Sequence, residues 1–595
     1  MKIIDIRARR IPDSELLKES HARFHLDIKE IPKEEVKKIP PYGLEIGKKE
    51  KTSWLKGIKQ VSFAFTTHLG LKKYYRIKTS FLLPCLLVLV LFTSVKGIGT
   101  SLTLTNDLFQ KGGAFVEETS AQNLFAASLA VKEVRKALSS LGEVPKLVSE
   151  KFEALDFGSA WAEFFLRVSG YYNPRYYLLL FQNNSEMRPT GGFIGSYALI
   201  KVDQGNVEIK KVEGIFNISG QQRLHVIPPE PIQKISTSWQ LHDANWFFDF
   251  PTSAKAIAWL YEKSEGPTVD GIIAITPELL STLLTLTGPI PLEQFQNTLS
   301  AQNFIDLLQY EVELNYKERG LKDPKEIVAY ATPLVLERIT RLPRETLFST
   351  LLESIEKKEI LLYFARPEEE AFMEYLGWGG AITHHEGDYL AIVNSNINGF
   401  KTDRMIIQQV KHQSEILSDG SIKDTVVITR EHKGGKSEYD WYNRVNADFL
   451  RVYVPKGSLL LEARGHTLEF TDPPIDYQAS RYKEYPALKK IAESKVIEEK
   501  TGTRIVEENG KTVFGNWVYV SPGERVELTY QYLLPFKIER QNGVASLFLT
   551  VQKQPGITYE LEKRIFLALN QAILWEAPTP PLIDRDRIYA WIFSF

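Results

Sequence analysis

Three short polar clusters hold the side chains of this 595-residue chain that could do chemistry. The first lies in Tyr176–Val202, YYLLLFQNNSEMRPTGGFIGSYALIKV, where Asn183, Asn184, Glu186 and Arg188 precede Pro189-Thr190-Gly191-Gly192. An arginine guanidinium is a planar fork of donors matched to carboxylate or phosphate. Gly191 and Gly192 would let backbone approach a ligand closely or take a positive φ. The second cluster is His242-Asp243-Ala244-Asn245-Trp246 with Asp249-Phe250-Pro251, and the third is Asn396, Asn398, Lys401, Asp403 and Arg404. The same residue types also build turns, helix caps and ion pairs, so each cluster has a structural reading beside the chemical one.

To act together, these side chains must be positioned by elements that the sequence also marks. Tyr176–Phe181 and Phe193–Val202 are apolar runs of the kind buried strands have. Val207–Val212 and Gly271–Ile275 are further strand candidates, and Gln204-Gly205-Asn206 reads as a tight hairpin. Thr252–Lys263 and Pro277–Leu286 read as helices, the first with an acidic group before it that suits a helix N-terminus. Residues 295–380 are mainly helical in pattern, with Ile360–Phe364 returning as a strand. Asp388–Ser395 reads as a strand completing the same unit. The expected architecture for 173–412 is therefore a mixed-sheet α/β domain. From about residue 420 short strands recur between Gly and Pro turns: Thr425–Arg430, Phe449–Val454, Leu459–Ala463, Thr512–Val520, Arg525–Leu533, Ser546–Gln552 and Ile588–Phe595. That punctuation predicts a C-terminal all-β sandwich over 413–595.

Ahead of these units the chain changes character. Residues 1–79 hold 19 Lys and Arg against 10 Asp and Glu, while the whole chain carries a net charge of −1. Ser80–Val95 (SFLLPCLLVLVLFTSV) has no charge, and with Lys96 snorkelling the apolar run extends to about 20 residues or more, enough to span a bilayer. Lys72, Lys73, Arg76 and Lys78 precede it, which places the N-terminus in the cytoplasm and the bulk outside. A cleaved signal peptide and a buried globular helix are the alternatives. The expected order is thus a basic cytoplasmic tail (1–79), one transmembrane helix (80–104), a helical stalk (105–172), the α/β domain and the sandwich.

Several function classes are disfavoured. The near-zero net charge gives no overall field for nucleic acid. A single cysteine, Cys85, excludes an intrachain disulfide and any multi-thiolate metal site. No Walker A loop, H-E-x-x-H or G-x-S-x-G occurs. His384-His385-Glu386 could bind a metal, but adjacent histidines diverge, so a loop pair is the better reading. Trp239, Trp246 and Trp259 suit a core, or stacking on sugar.

The run QNNSEMRPTGGFIGSYAL resembles the signature of the domain of unknown function 4012 family of bacterial envelope proteins, and the resemblance extends over about 175–410. That family is distantly similar to the LytR-CpsA-Psr phosphotransferases, which move a glycopolymer from a polyprenyl pyrophosphate carrier to a cell-wall acceptor. The resemblance implies phosphate-binding cations and Mg²⁺ held by oxygen ligands. Arg188, with Lys401 or Arg404, would supply the charge; Asp243, Asp249 or Asp403 would hold the metal or act as base. Arg188, Asp243 and Asp403 are the implied catalytic set, with Asn184, Glu186, Gly191, Gly192, Asn245, Lys401 and Arg404 as ligand-binding residues. Two departures weaken the enzymatic reading: the superfamily's strand-end arginine–aspartate pair is replaced by Gly191-Gly192-Phe193, and its several pocket arginines are not evident. The expected function is binding of a lipid-linked or wall glycopolymer at the envelope, with Mg²⁺-dependent phosphotransfer open. The alternative is a non-catalytic envelope scaffold or adhesion protein.

Overall fold

The computed structural model describes residues 163–311, 326–470, 472–538, 543–567 and 572–594. The tail, the anchor and most of the stalk fall outside these residues. Among the described residues no helix is long and apolar enough to cross a membrane.

The first unit is built on a mixed sheet. Its strands are β1 (Arg175–Asn183), β2 (Phe193–Asp203), β3 (Asn206–Gly214), β4 (Gly271–Ile275) and, after a small hairpin of β5 (Ile290–Leu292) and β6 (Asn297–Leu299), β7 (Ile360–Phe364). Their order is β3-β2-β1-β4-β7. Only β1 and β4 run parallel; the other neighbours are antiparallel. Side chains alternate across the sheet, so the apolar run of β1 feeds two cores. Tyr177 and Leu179 pack with helices Pro277–Thr287, Glu326–Thr340 and Arg344–Glu356. Leu178 and Leu180 pack with helix Phe250–Lys263 and with Trp239 and Trp246. Trp239 is fully buried and Trp259 packs partly buried at the same core, so these tryptophans are core residues. The expected hairpin is present: Asp203 pairs with Asn206, and Gln204 and Gly205 sit at φ of 49° and 76°, as a type I′ turn requires.

The second unit is a sandwich. β8 (Asp388–Val393), β9 (Ile406–Ile416), β10 (Ser421–His432), β11 (Asn446–Pro455), β12 (Leu459–Arg464), β13 (Val496–Ile497), β14 (Arg504–Glu508), β15 (Lys511–Val520), β16 (Arg525–Lys537), β17 (Val544–Val551), β18 (Tyr559–Phe566), β19 (Ala572–Glu576), β20 (Leu582–Ile583) and β21 (Arg587–Ser594) form it. One sheet runs β12-β16-β10-β9-β18-β20 and the other β13-β14-β15-β11-β8-β17-β21-β19. Leu390, Ile392 and Val452 of the larger sheet interdigitate with Val410, Val426 and Tyr530 of the smaller.

One expectation is overturned here. Asp388–Val393 does not complete the α/β sheet; it pairs with β11 on one side and β17 on the other. The sandwich therefore begins near residue 388, and the expected boundary at 412/413 cuts through its strand β9. The physical reason is that DYLAIV is buried at every position. A run apolar on both faces announces a central strand without saying of which sheet. Its second face is covered by the first unit, since Phe248 and Ile382 pack against Tyr389, Ala391 and Val393. The molecule is thus layered: helices and mixed sheet, then the eight-stranded sheet, then the six-stranded sheet.

At the base of the mixed sheet, Arg175 is 2% exposed and pairs with Glu369 at 2.5 Å and Asp270 at 3.3 Å. The neighbouring Glu370 accepts a hydrogen bond from the Phe364 amide at 2.8 Å. Burial pushes the Glu370 carboxyl from 4.5 up to about 7. The unfolded chain gives up this proton near 4.5, whereas the folded chain holds it to about 7. Across that window the unfolded state binds fewer protons, so stability falls as pH rises. Glu370→Gln should remove up to about 3 kcal/mol of this pH dependence. Thermal unfolding of the two proteins across the window checks it; equal slopes would refute the assignment.

Candidate functional site

The three polar clusters do meet, at the junction of the two units, and Arg188 is their centre. The turn between β1 and β2 carries it inward, to 1% exposure. Nε and Nη2 both donate to Asp243 Oδ1, at 3.0 and 2.9 Å. Nη2 also reaches Glu186 Oε1 at 3.4 Å. Nη1 donates to the carbonyls of Met187, at 3.1 Å, and Asn396. All five guanidinium N–H groups therefore have protein acceptors. Burial works against the cation, but Asp243 and Glu186 outweigh it and raise the Arg188 pKa. The Phe193 ring lies 5.4 Å from the guanidinium and covers it.

Asp243 is presented by a 3-10 turn, Leu241–Asp243, and is itself 3% exposed. Its backbone carbonyl accepts from the Trp239 indole N–H at 2.9 Å, and Oδ2 lies 3.4 Å from His242 Nε2. Burial lowers the His242 pKa, with Asp243 opposing. Glu186 is moved the other way: burial raises its pKa, while Arg188 and Lys401 offset part of the rise. Asn245 donates to the Gly192 carbonyl at 2.8 Å and to Thr190 Oγ1 at 3.1 Å, locking the turn. Gly192 has a φ of 135°, and a Cβ there would sit 2.3 Å from the Asn183 carbonyl. Gly191, at φ 122°, is approached by the loop after β17: a Cβ on Gly556 would lie 2.7 Å from the Gly191 carbonyl oxygen. Asn184 bridges the same loop, donating to Gly556 O at 3.1 Å and to Glu278.

The third cluster closes over Arg188 from the sandwich side. Asp403 Oδ2 accepts from the Met187 amide at 2.8 Å and from Asn396 Nδ2 at 2.7 Å; Oδ1 accepts from Asn446 at 3.1 Å. Asn396 also takes the Gly399 amide at 2.7 Å. Arg404 pairs with Asp306 at 3.0 Å, joining this segment to helix Phe304–Tyr310. Lys401 caps the short 3-10 turn Thr402–Met405 and attracts Glu186.

Asp249 stands apart from these groups in role. It is the N-cap of helix Phe250–Lys263, accepting from the Thr252 amide at 3.0 Å, and its other oxygen takes the Ile382 amide at 2.9 Å. The family resemblance implies Asp243 and Asp249 as metal ligands; the structure gives one to Arg188 and the other to a helix cap. The His384-His385-Glu386 run is exposed, as a loop pair would be.

Other participants carry no sequence motif. Arg430 is 1% exposed and donates to Asn394, Asp448 and Asn446. Gln554 donates to the carbonyls of Arg188, at 3.1 Å, and Asn394, at 2.9 Å. Their one legible signal is a charge or amide at an inward position of a strand, or just beyond its end. Beside the network an open pocket of about 230 Å³ is lined by Asn184, Glu278, Asp403, Arg404, Arg430 and Thr558 among others. Arg188, Asp243, Asn245 and Lys401 do not line it.

Residues 173–312 match the family described as "Protein of unknown function (DUF4012)". The match takes in the first two clusters and stops short of the third, which the sequence resemblance was expected to include. No curated protein matches the chain. Among solved structures, an M1 zinc metallopeptidase from Deinococcus radiodurans bound to a Tyr-Ser-Ala substrate is 10% identical, over 32% of this chain and 43% of its own, with a TM-score of 0.14. A Legionella pneumophila protein described as a nutrient binding protein is 10% identical, over 35% of this chain and 67% of its own, with a TM-score of 0.15. The chain thus spans less than half the length of the first of these, and scores so low bear on neither fold nor function.

Removing one partner of a buried ion pair leaves the other uncompensated, so Arg188→Ala should destabilise the protein by about 3–5 kcal/mol. Denaturant unfolding measures this; an unchanged midpoint would show that Asp243 and the Met187 and Asn396 carbonyls do not depend on the guanidinium.

Proposed function

We propose that this protein is a non-catalytic envelope scaffold or adhesion protein, anchored by its single apolar N-terminal segment, with the α/β unit and the sandwich outside the membrane. One observation carries the reading: every N–H of Arg188 is already held by protein at 1% exposure. Phosphotransfer of the LytR-CpsA-Psr kind needs a guanidinium turned towards phosphate oxygens, in water-accessible reach of the carrier. Here the fork faces two carboxylates and two backbone carbonyls. Asp243 and Asp403 are engaged in the same way, and Asp249 caps a helix. The basic tail and the uncharged run before residue 96 support the anchor. For a partner surface, the sandwich offers its edge strand β12, where Leu459 and Leu461 are exposed.

A second reading is favoured by the pocket beside Asn184 and Asp403. At about 230 Å³ it is below the size of ordinary small-molecule sites. It would admit one terminal group of a wall or lipid-linked glycopolymer, held by Glu278, Arg404 and Thr558 without transfer chemistry.

Calorimetric titration of the full-length protein in detergent, with polyprenyl pyrophosphate in the presence and absence of Mg²⁺, and separately with wall-glycan fragments, tests both. The scaffold reading expects no saturable Mg²⁺-dependent heat from the lipid pyrophosphate. Such a heat, lost in Arg404→Ala, would overturn it in favour of a phosphotransferase-like site. Saturable glycan binding that disappears in Thr558→Trp, which fills the pocket, would establish the second reading.

A further inference from the structure

Most buried charges in the sandwich face a partner of opposite sign. Arg430 lies against Asp448, and Arg451 lies 3.3 Å from Glu508. One group breaks the pattern. Asp388, at the start of β8, points across the sandwich at His412 on β9 and Asp424 on β10. All three are 3% exposed or less. His412 Nε2 lies 3.6 Å from Asp388 Oδ2 and 3.7 Å from Asp424 Oδ2. At those separations no hydrogen bond forms, and His412 Nε2, Asp388 Oδ2 and both Asp424 oxygens are buried without partners. Among the described residues this is the group of carboxylate and imidazole atoms that converges within 4.8 Å.

We propose that Asp388, His412 and Asp424 hold one divalent transition-metal ion, of the zinc class, that staples the two sheets of the sandwich together. The spacing fits. Bonds of about 2.0–2.1 Å to nitrogen and oxygen in tetrahedral geometry put neighbouring ligand atoms about 3.4 Å apart, close to the two observed separations. The charge fits as well, because two carboxylates against a dication leave a neutral site where water does not reach. Lys511 does not take this role: its ammonium lies 3.8 Å over the Tyr389 ring and attracts Asp388 from there, leaving Asp388 Oδ2 unpartnered. The donor set selects the metal class. One imidazole with two carboxylates suits zinc, manganese, iron or cobalt, whereas magnesium and calcium favour oxygen alone. The other Asp388 oxygen accepts the Tyr389 amide at 2.7 Å, which orients the carboxylate. The Tyr532 hydroxyl is also buried without a partner and lies within electrostatic reach of both aspartates, which supplies a fourth oxygen nearby.

The register explains how the site forms. His412 pairs with Val426, and Asp424 with Ser414, so His412 and Asp424 are diagonal neighbours on the inner face of adjacent antiparallel strands. Asp388 comes from the opposite sheet. The ion therefore ties β8 to β9 and β10, as a disulfide would in a protein with cysteines to use. The near-complete burial of all three ligands assigns it a structural role.

The test uses the full-length protein, without a polyhistidine tag, purified in detergent from metal-supplemented medium without chelator. Elemental analysis should find about one equivalent of transition metal per chain. Prolonged treatment with a strong chelator should lower the melting temperature by more than about 3 °C, and zinc or manganese should restore it. Cobalt substitution should give visible d–d absorption, and Asp424→Asn should lose both metal and absorption. Should the variant misfold, the native chain still decides. Less than about a tenth of an equivalent, with a melting temperature indifferent to chelator and to added metal, would overturn the proposal.

Discussion

The buried cation Arg188 ties the two units of this protein together. Arg188 enters from the turn between β1 and β2, yet its acceptors come from three separate stretches: its own turn, the Leu241–Asp243 segment and the strand exit at Asn396. Its own carbonyl is taken by Gln554, from the loop after β17. Buried ion pairs are weak evidence for stability, since desolvation offsets much of the attraction. Their contribution here is direction. Five N–H groups at fixed angles admit one arrangement of acceptors, whereas apolar packing alone tolerates small slides between layers.

That constraint accounts for the composition of the middle layer. The eight-stranded sheet is covered on one face by the α/β unit and on the other by its partner sheet, so β8 has no solvent side and reads DYLAIV. β11 is likewise buried at nine of its ten positions. Several of the polar residues in this layer are met by another polar group. Arg451 shows how: it pairs with Glu508, donates to the Trp246 carbonyl at 2.8 Å and lies 4.5 Å over the Trp246 ring, bridging the same two units some distance from Arg188.

Much of the fold was legible because its local signals agree with its packing. The strands β1, β2 and β4, the helix starting with Asp249 as cap, and seven of the fourteen sandwich strands among the described residues follow from apolar runs and turn residues. What escaped depends on long-range pairing. β8 looks like any doubly buried strand, and only its neighbours β11 and β17 reveal its sheet. β9, IIQQVKHQSEI, has Gln408, His412 and Ser414 among its inward positions, which dilutes its pattern. The candidate residues were legible as a group but not in orientation. Residue type and spacing brought Arg188, Asp243, Asn245 and Asp403 together; that Arg188 faces Asp243 and the Asn396 carbonyl rather than solvent depends on partners 55 and 208 positions away in the chain.

The turn after β1 nonetheless does what its composition implies. A loop joining two core strands is rigidly placed and suited to receiving another group, and Gly191 and Gly192 do permit a close backbone approach. The group received is the chain's own Gln554-Pro555-Gly556. Gly556 lies so near the Gly191 carbonyl that a Cβ would come within 2.7 Å, and Asn184 holds the Gly556 carbonyl. A segment of the sandwich therefore fills the approach that the two glycines leave open. The glycines, the arginine and the amides meet the requirement of any polar group that has left water: donors and acceptors held rigidly around it.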